Sequence, residues 1–122
     1  MNHKDLDAWK KSLDLVVQVY QVTSIFPDSE RFGLITQMQR AAVSVPSNIA
    51  EGAARKSDKE FTYFLYIAQG SLAELETQYI ISEKLKYISP DQLNTFINHK
   101  EEIAKMIYGL INYYKRKQVV SG

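Results

Sequence analysis

Residues 34–53 read LITQMQRAAVSVPSNIAEGA, and this stretch decides the fold. Its apolar side chains recur at steps of three and four residues, the spacing that places side chains on one face of an α-helix. The stripe consists of Leu34, Met38, Ala41, Ala42, Val45, Ile49 and Ala53. It keeps its phase through Pro46, so we predict one helix over about residues 30–54 that kinks at the proline without breaking.

Apolar stripes of the same period flank this segment on both sides. Upstream, a helix is predicted over about residues 6–23, ending before Pro27 because proline drives the preceding residue out of helical geometry. Downstream, stripes from Phe61 to Leu85 and from Leu93 to Tyr114 predict helices over about residues 58–86 and 90–115. The upstream stripe consists of Trp9, Leu13, Val16, Val17 and Tyr20.

Two capping boxes mark where the third and fourth helices begin. Ser57 stands three residues before Glu60, and Ser89 stands three residues before Gln92, with Pro90 at the first helical position. Short connections between long amphipathic helices favour antiparallel neighbours. The predicted fold class is therefore all-α, an antiparallel up-down four-helix bundle that forms one domain over residues 1–122.

The composition is that of an ordinary globular domain, with 45% hydrophobic and 24% charged residues. The formal charge is only +1, so any nucleic-acid binding must come from local clustering of cations. The absence of cysteine excludes disulfides and thiolate metal sites, and it suits a reducing compartment. The N-terminal MNHKDLDAWKK carries charges of both signs where a secretory signal has an apolar core. We therefore expect a cytoplasmic protein with no membrane partner.

The sequence contains no recognisable catalytic or metal-binding pattern. A di-iron bundle needs Glu-x-x-His on two helices, but His3 lies in the N-terminal tail and His99 follows Phe96 by three residues. No arginine precedes His99 in the fourth predicted helix, as the arginine–histidine pair of helical-bundle nucleases would require. A phosphate-binding glycine loop, a zinc-protease helix and a serine elbow are also missing. We expect no enzymatic activity, no metal and no cofactor.

A polar stripe runs beside the apolar stripe of the second predicted helix. Glu74 and Gln78 hold comparable positions on the third helix, so contacts such as Arg40 with Glu74 or Asn48 with Gln78 would fix helix register or subunit orientation. The alternative is a solvated helix face with local ion pairs. The stripe on the second helix consists of Arg40, Ser44, Asn48, Glu51 and Arg55.

Two glycines stand inside predicted helices. Glycine destabilises a helix interior by about 1 kcal/mol relative to alanine, so Gly70 and Gly109 favour close crossings with another helix. These crossings lie either within the bundle or between subunits.

Cations gather near the predicted helix ends, and the fourth helix closes with Tyr113-Tyr114-Lys115-Arg116-Lys117. Cations there are favoured by the helix dipole, which is sufficient explanation in a monomer. The functional interpretation is a nucleic-acid contact to which the fold adds Lys10, Lys11, Arg55, Lys56, Lys84 and Lys86. Six tyrosines on or near helix faces are expected to be buried in the core or an interface in preference to stacking on bases. They are Tyr20, Tyr63, Tyr66, Tyr79, Tyr87 and Tyr108.

The central residues also carry a family resemblance. The run from Gly33 to Gly52, with Arg40-Ala-Ala-Val-Ser44-Val-Pro46-Ser-Asn48 at its centre, resembles the four-helix bundle proteins encoded in intervening sequences of bacterial large-subunit ribosomal RNA genes. Further matching positions extend the resemblance over nearly the whole chain. They are Trp9, Phe26-Pro27, Glu30, Phe61, Phe64-Leu65, Ala68, Gly70-Ser71-Leu72, Glu74-Leu75-Glu76 and Tyr87-Ile88.

The resemblance implies an assembly and partners that the residues alone do not. Relatives form ring-shaped homopentamers around a central channel, and a related group is the accessory protein of diversity-generating retroelements, which binds nucleic acid and a reverse transcriptase. By this resemblance we expect a homopentamer that binds RNA or DNA, with a reverse transcriptase or another protein as a further partner. The nearly neutral charge departs from the markedly basic retroelement proteins, which argues against strong nonspecific binding. The alternative is a structural or protein-interaction scaffold with no nucleic-acid role.

Overall fold

The computed structural model describes the backbone of residues 1–121 and the side chains of residues 1–118. Short 3-10 turns lie at His3–Asp5 and Asp28–Glu30, and no strand occurs in this part of the chain. The all-α prediction is therefore confirmed. The four helices are α1 (Asp7–Thr23), α2 (Leu34–Ala53), α3 (Asp58–Lys84) and α4 (Pro90–Ser121).

Neighbouring helices run antiparallel around one core. Phe61 near the start of α3 packs on Tyr114 of α4, whereas Tyr79 near the end of α3 stacks on Phe96 near the start of α4. Each helix contacts two neighbours, as in an antiparallel four-helix bundle. The same reversed order holds for Ser44–Ser71 and Met38–Ser82 between α2 and α3, and for Lys11–Glu102 and Gln18–His99 between α1 and α4.

The apolar stripe of α2 forms the centre of the core, and all seven of its residues are buried. Helix α2 continues through Pro46, as the unbroken periodicity predicted. The helix begins at Leu34, four residues later than predicted, because Asp28–Glu30 forms a separate 3-10 turn. The Glu30 carboxylate then accepts a hydrogen bond from the Leu34 amide at 3.3 Å.

The predicted core face of α1 is wrong, because a different face of the helix is turned toward the core. Leu13, Val17 and Tyr20 are exposed, and Trp9 and Val16 are half-buried. Apolar residues surround much of α1, so two stripes compete, and the buried stripe includes hydroxyls that hydrogen-bond to carbonyls of the same helix, at 2.8 Å for both Ser12 and Thr23. The buried residues of α1 are Ala8, Ser12, Leu15, Val19 and Thr23.

The predicted starts of α3 and α4 are confirmed. Ser57 accepts a hydrogen bond from the Glu60 amide at 3.1 Å. At α4 the capping box is reciprocal: the Gln92 amide donates to the Ser89 hydroxyl at 3.1 Å, and the Ser89 amide donates to the Gln92 side chain at 2.8 Å. Helix α3 ends two residues before the predicted boundary, and α4 continues six residues beyond it, to Ser121.

Gly70 and Gly109 do not mark close crossings inside the bundle. Both are exposed, and a Cβ added at either position would meet no atom within 4 Å among the described residues. The within-bundle interpretation is therefore wrong, while a crossing between subunits stays a prediction. The close approach of two helices occurs instead at Gly52 of α2. Within the described chain, no helix combines the length and apolar character that crossing a bilayer requires.

Candidate nucleic-acid interface

The antiparallel order brings the α2–α3 connection and the last turns of α4 to the same end of the bundle. Lys117 pairs with Asp58, the first residue of α3, at 3.6 Å. Gln118 likewise donates a hydrogen bond to Thr62 at 3.3 Å. We call this region the basic end and define it by the cations Arg55, Lys56, Lys59, Lys115, Arg116 and Lys117.

The basic end carries a local excess of positive charge. Its six cations face three carboxylates, Glu51, Asp58 and Glu60, so three positive charges remain in excess on a chain whose whole formal charge is +1. Two ion pairs lie within it: Arg55 with Glu51 at 2.8 Å, and Lys117 with Asp58 at 3.6 Å. The other cations form no ion pair within the described residues, which leaves them available to phosphate.

The fold brings together five of the nine cations that the sequence suggested, and it separates the other four. Lys10 and Lys11 lie further along the bundle on α1, where Lys11 pairs with Glu102 at 2.8 Å. Glu102 precedes Lys115 by 13 residues of α4, or about 20 Å. Lys84 and Lys86 lie at the opposite end, because α3 is 27 residues, or about 40 Å, long. One contact surface therefore cannot include all nine cations.

Lys11 and Glu102 form an ion pair in which the two charges neutralise each other. The hydrogen bond with Glu102, and then its negative charge, raise the pKa of Lys11 above the ordinary value. The same bond and the lysine charge lower the pKa of Glu102. Both side chains are exposed, so the pair contributes little to stability, but it occupies a cation that a phosphate would otherwise bind.

Aromatic rings are interleaved with the cations of the basic end. The Arg55 guanidinium lies 4.9 Å from the centroid of the Phe64 ring. Lys115 donates a hydrogen bond to the Tyr66 hydroxyl at 2.8 Å, and its Nζ lies 5.3 Å from the Tyr66 centroid. Such cation–π contacts hold the cations in place without neutralising their charge.

The expectation that the six tyrosines lie in the core is correct for Tyr79 and partly for Tyr87. Tyr79 is buried, and Tyr87 is half-buried with its hydroxyl donating to Glu30 at 2.9 Å. The expectation was burial in the core or an interface, and four others are not in the core of the single chain, since their side chains are 44–63% exposed: Tyr20, Tyr63, Tyr66 and Tyr108. Burial of these four between subunits stays a prediction.

The polar stripe makes different contacts from those expected. Arg40 and Glu74 are exposed and form no ion pair with each other. Asn48 donates to both the backbone oxygen and the hydroxyl of Ser44, each at 2.8 Å, so it does not reach Gln78. The contact between α2 and α3 is instead Ser44 with Ser71, whose hydroxyls lie 2.8 Å apart.

Two further pairs of these polar residues lie each within one helix. Glu51 pairs with Arg55 one turn further along α2. On α3, the side-chain nitrogen of Gln78 donates a hydrogen bond to the Glu74 carboxylate at 3.3 Å. The Gln78 side-chain oxygen is buried and has no hydrogen-bond partner within the described chain.

The described residues contain no cluster of potential metal ligands. No three His, Cys, Asp or Glu side chains there come together in a way that would hold a metal ion. His99 is half-buried between α4 and α1, with Nδ1 2.8 Å from the Gln18 side-chain oxygen.

Lys59 is a candidate phosphate contact that the sequence reasoning missed. It is exposed at the start of α3 and has no ion pair within the described chain. The sequence does contain a signal for this surface, because Lys59, Tyr63 and Tyr66 follow the four- and three-residue steps of one helix face.

A solved structure shares this fold. It is that of a protein with unknown function from the S23 ribosomal protein family of Bacteroides thetaiotaomicron, with a TM-score of 0.81. The similarity covers 92% of this chain and 99% of that chain at 24% identity, so it bears on the fold alone.

Sequence comparison identifies the family. No curated protein shows significant similarity to the chain. The family model described as 23S rRNA-intervening sequence protein matches residues 4–109, which confirms the resemblance carried by the central residues. The chain therefore belongs to the 23S rRNA-intervening sequence protein family.

Proposed function

We propose that this protein is a non-enzymatic, self-associating helical bundle that binds RNA or DNA through its basic end. The observation that carries the proposal is the local excess of positive charge on an almost neutral chain. Phosphate contacts supply most of the affinity of sequence-independent nucleic-acid binding, so local clustering matters more than total charge. The family description refers to a ribosomal RNA sequence, which supports a connection with nucleic acid.

The length of α4 also supports a phosphate-binding role for its cations. The helix continues to Ser121, so Lys115 and Arg116 lie more than one turn before its end. Helix-dipole effects fall off within the last turn, and therefore do not explain these two cations. Arg116 is exposed and forms no ion pair within the described chain, which suits it to contact an external anion.

Assembly into the ring-shaped homopentamer implied by the resemblance is part of the proposal. A closed ring would present five basic ends to one nucleic acid, and this multivalency would raise the affinity of a surface whose single copy is weakly charged. Five chains of 14.0 kDa would have a mass of about 70 kDa by light scattering. A particle with the mass of a single chain would refute the ring.

Exposed apolar side chains favour the second candidate function, a protein-interaction scaffold. Leu13, Val17 and Tyr20 lie on the outer face of α1, and Tyr20 shares a surface cleft with Val43 of α2. Contiguous exposed apolar surface marks protein contacts, either with other copies of the chain or with a partner such as a reverse transcriptase. Recovery of a specific protein from nuclease-treated cytosol, with no nucleic-acid binding by the pure protein, would favour the scaffold.

The primary test is a binding titration of labelled RNA and DNA by fluorescence anisotropy at low and moderate salt. We expect affinity to fall as salt rises, with log K linear in log salt concentration. Changing Lys115, Arg116 and Lys117 together to alanine should weaken binding. The salt slope should fall by about 2, because Lys117 is paired with Asp58 and each of the other two cations contributes about 0.9.

The matched control changes Lys84 and Lys86 to alanine at the opposite end of the bundle. These exposed cations lie about 40 Å from the basic end, so binding should be retained. Equal losses in the two variants would show that the basic end is not the site. Absence of binding at low salt would refute nucleic-acid binding altogether.

A further inference from the structure

Four tyrosines of α3 and α4 are exposed, and three of them are Tyr63, Tyr66 and Tyr108. The fourth, Tyr113, stands five residues from Tyr108 and therefore lies on another face of α4. Tyr63 is 63% exposed, Tyr66 is 44% exposed and Tyr108 is 57% exposed. Rings of this size are normally buried in the core, where their area stabilises the fold. The exposure of three rings therefore needs an explanation other than folding of the single chain, either burial against another copy of the chain or contact with a ligand.

Lysines surround these tyrosines. On α3, Lys59 shares the face of Tyr63 and Tyr66. On α4, Lys105 and Tyr108 line one shallow recess of the outer surface. We call this surface the tyrosine face and define it by Tyr63, Tyr66, Tyr108, Lys59, Lys105 and Lys115.

Contacts between the two helices make the tyrosine face continuous. Lys115 of α4 is hydrogen-bonded to Tyr66 of α3 at 2.8 Å. Eleven residues earlier on α4, the Ala104 backbone oxygen accepts a hydrogen bond from Gln69 of α3 at 3.0 Å. Tyr108 lies between these two contacts along α4, and therefore at the level of residues 66–69 of α3.

The chemistry of this surface favours a polyanion with exposed flat apolar groups. A purely ionic phosphate site does not need exposed rings, and an apolar protein partner does not need three lysines beside them. Single-stranded nucleic acid has both properties, because its bases are free to stack on aromatic rings while its phosphates contact cations. In a duplex the base faces are stacked on one another and are not available.

We propose that the tyrosine face binds single-stranded nucleic acid, with unpaired bases stacked on Tyr63, Tyr66 and Tyr108 and with phosphates contacted by Lys59, Lys105 and Lys115. The inference rests on the proposed nucleic-acid binding and narrows it to an unpaired strand. Glu101 lines the same recess as Lys105 and Tyr108, and its negative charge disfavours a phosphate at that point of the face. Stacking does not read the 2′-hydroxyl, so RNA and DNA strands should bind within a few-fold of each other.

The test compares oligonucleotides of one length and sequence as single-stranded RNA, single-stranded DNA and duplex. We expect the single strands to bind about tenfold or more tightly than the duplex at the same salt concentration. A 2-aminopurine base placed in the strand should change its fluorescence on binding, which a purely ionic contact would not cause.

Substitution of the three tyrosines separates stacking from ionic binding. Changing Tyr63, Tyr66 and Tyr108 together to alanine should weaken single-strand binding by about tenfold or more, with the salt slope nearly unchanged. The corresponding phenylalanine variant keeps the rings and should retain binding. Phe32→Ala is the matched control, because Phe32 is 91% exposed in the connection between α1 and α2, away from the tyrosine face.

The possible results distinguish this inference from the proposed function. If duplex and single strands bind equally, or the alanine variant binds normally, the tyrosine face is not the site although nucleic-acid binding by the protein stands. If no form of nucleic acid binds at low salt, both are refuted. Circular dichroism melting of each variant checks that the fold is retained.

Discussion

Gly52 of α2 faces Phe64 of α3 so closely that a Cβ added to the glycine would lie 2.7 Å from the Phe64 Cβ. This contact explains why α2 tolerates a glycine that destabilises a helix interior by about 1 kcal/mol relative to alanine. The close approach also fixes Phe64, whose ring lies 4.9 Å from the Arg55 guanidinium. Packing between α2 and α3 therefore positions one cation of the basic end.

Gly52→Ala should destabilise the protein by about 1–3 kcal/mol, because the new methyl group overlaps Phe64 and the helices must separate. Gly70→Ala is the matched control, since its methyl group meets no atom within 4 Å, and alanine should stabilise the exposed helix by about 0.5–1 kcal/mol. Urea denaturation of both variants measures the difference. Equal effects of the two substitutions would show that α2 and α3 are not so close at Gly52.

Tyr79→Phe should change the free energy of unfolding at neutral pH by less than about 1 kcal/mol, because the hydroxyl forms no hydrogen bond within the described chain. The Tyr79 side chain is 2% exposed, and its ring stacks on Phe96 with centroids 3.8 Å apart. Tyr79→Ala, which removes the ring, should instead destabilise by about 3–5 kcal/mol. Thermal and urea denaturation compare the two variants.

Alkaline pH should destabilise the protein partly through Tyr79. Burial raises the pKa of Tyr79 well above its ordinary value of about 10. Below that value the hydroxyl is protonated in both states; above it the unfolded chain loses the proton first, so stability falls as pH rises. Tyr79→Phe should reduce this fall. Some of it should remain, since the Glu30 hydrogen bond raises the pKa of Tyr87, and burial raises that of Tyr114. An identical pH profile for the variant would contradict the prediction.

Ser89→Ala should destabilise the protein by about 1 kcal/mol, because the Gln92 amide loses its hydrogen-bond acceptor at the start of α4. Ser29→Ala is a suitable control, as Ser29 is exposed and forms no side-chain hydrogen bond within the described chain. The shift in thermal midpoint measures the effect. A loss no larger than that of the control would mean that the capping box does not stabilise α4.

Arg40→Ala should change the stability of the single chain by less than about 0.5 kcal/mol, since Arg40 is exposed and does not pair with Glu74. Glu74→Ala should destabilise by about 0.5–1.5 kcal/mol, because the buried Gln78 side chain loses its hydrogen-bond acceptor. A buried pair would instead require a loss of about 3–5 kcal/mol on removal of one partner. Urea denaturation at low protein concentration measures the chain itself. Light scattering of the same variants shows whether these residues join copies of the chain, in which case the mass falls while the chain stays folded.

The sequence was most informative where one signal dominated. On α2 a single apolar stripe exists, so its periodicity identified every buried residue except Pro46 and Gly52. Ser89 with Gln92 marked the start of α4 through a contact local to four residues. On α1 two apolar stripes compete, and only packing against α2 and α4 decided that Val17 faces solvent while Ser12 is buried. Nothing in the spacing of Ser44 and Ser71 indicated that they meet, because 27 residues separate them.

The sequence by itself determined that the chain forms four helices, where most of them begin and which face of α2 is buried, since these depend on periodicity and on hydrogen bonds within a few residues. Only the tertiary structure decided which cations share a surface. Arg55, Lys59 and Lys115 meet because α2, α3 and α4 run antiparallel. Lys84 lies at the opposite end of the bundle because of the length of α3. The physical reason is the separation along the chain of the residues that interact. Local interactions fix each helix, whereas a binding surface is made by residues far apart in the chain that only the packing of the helices brings together.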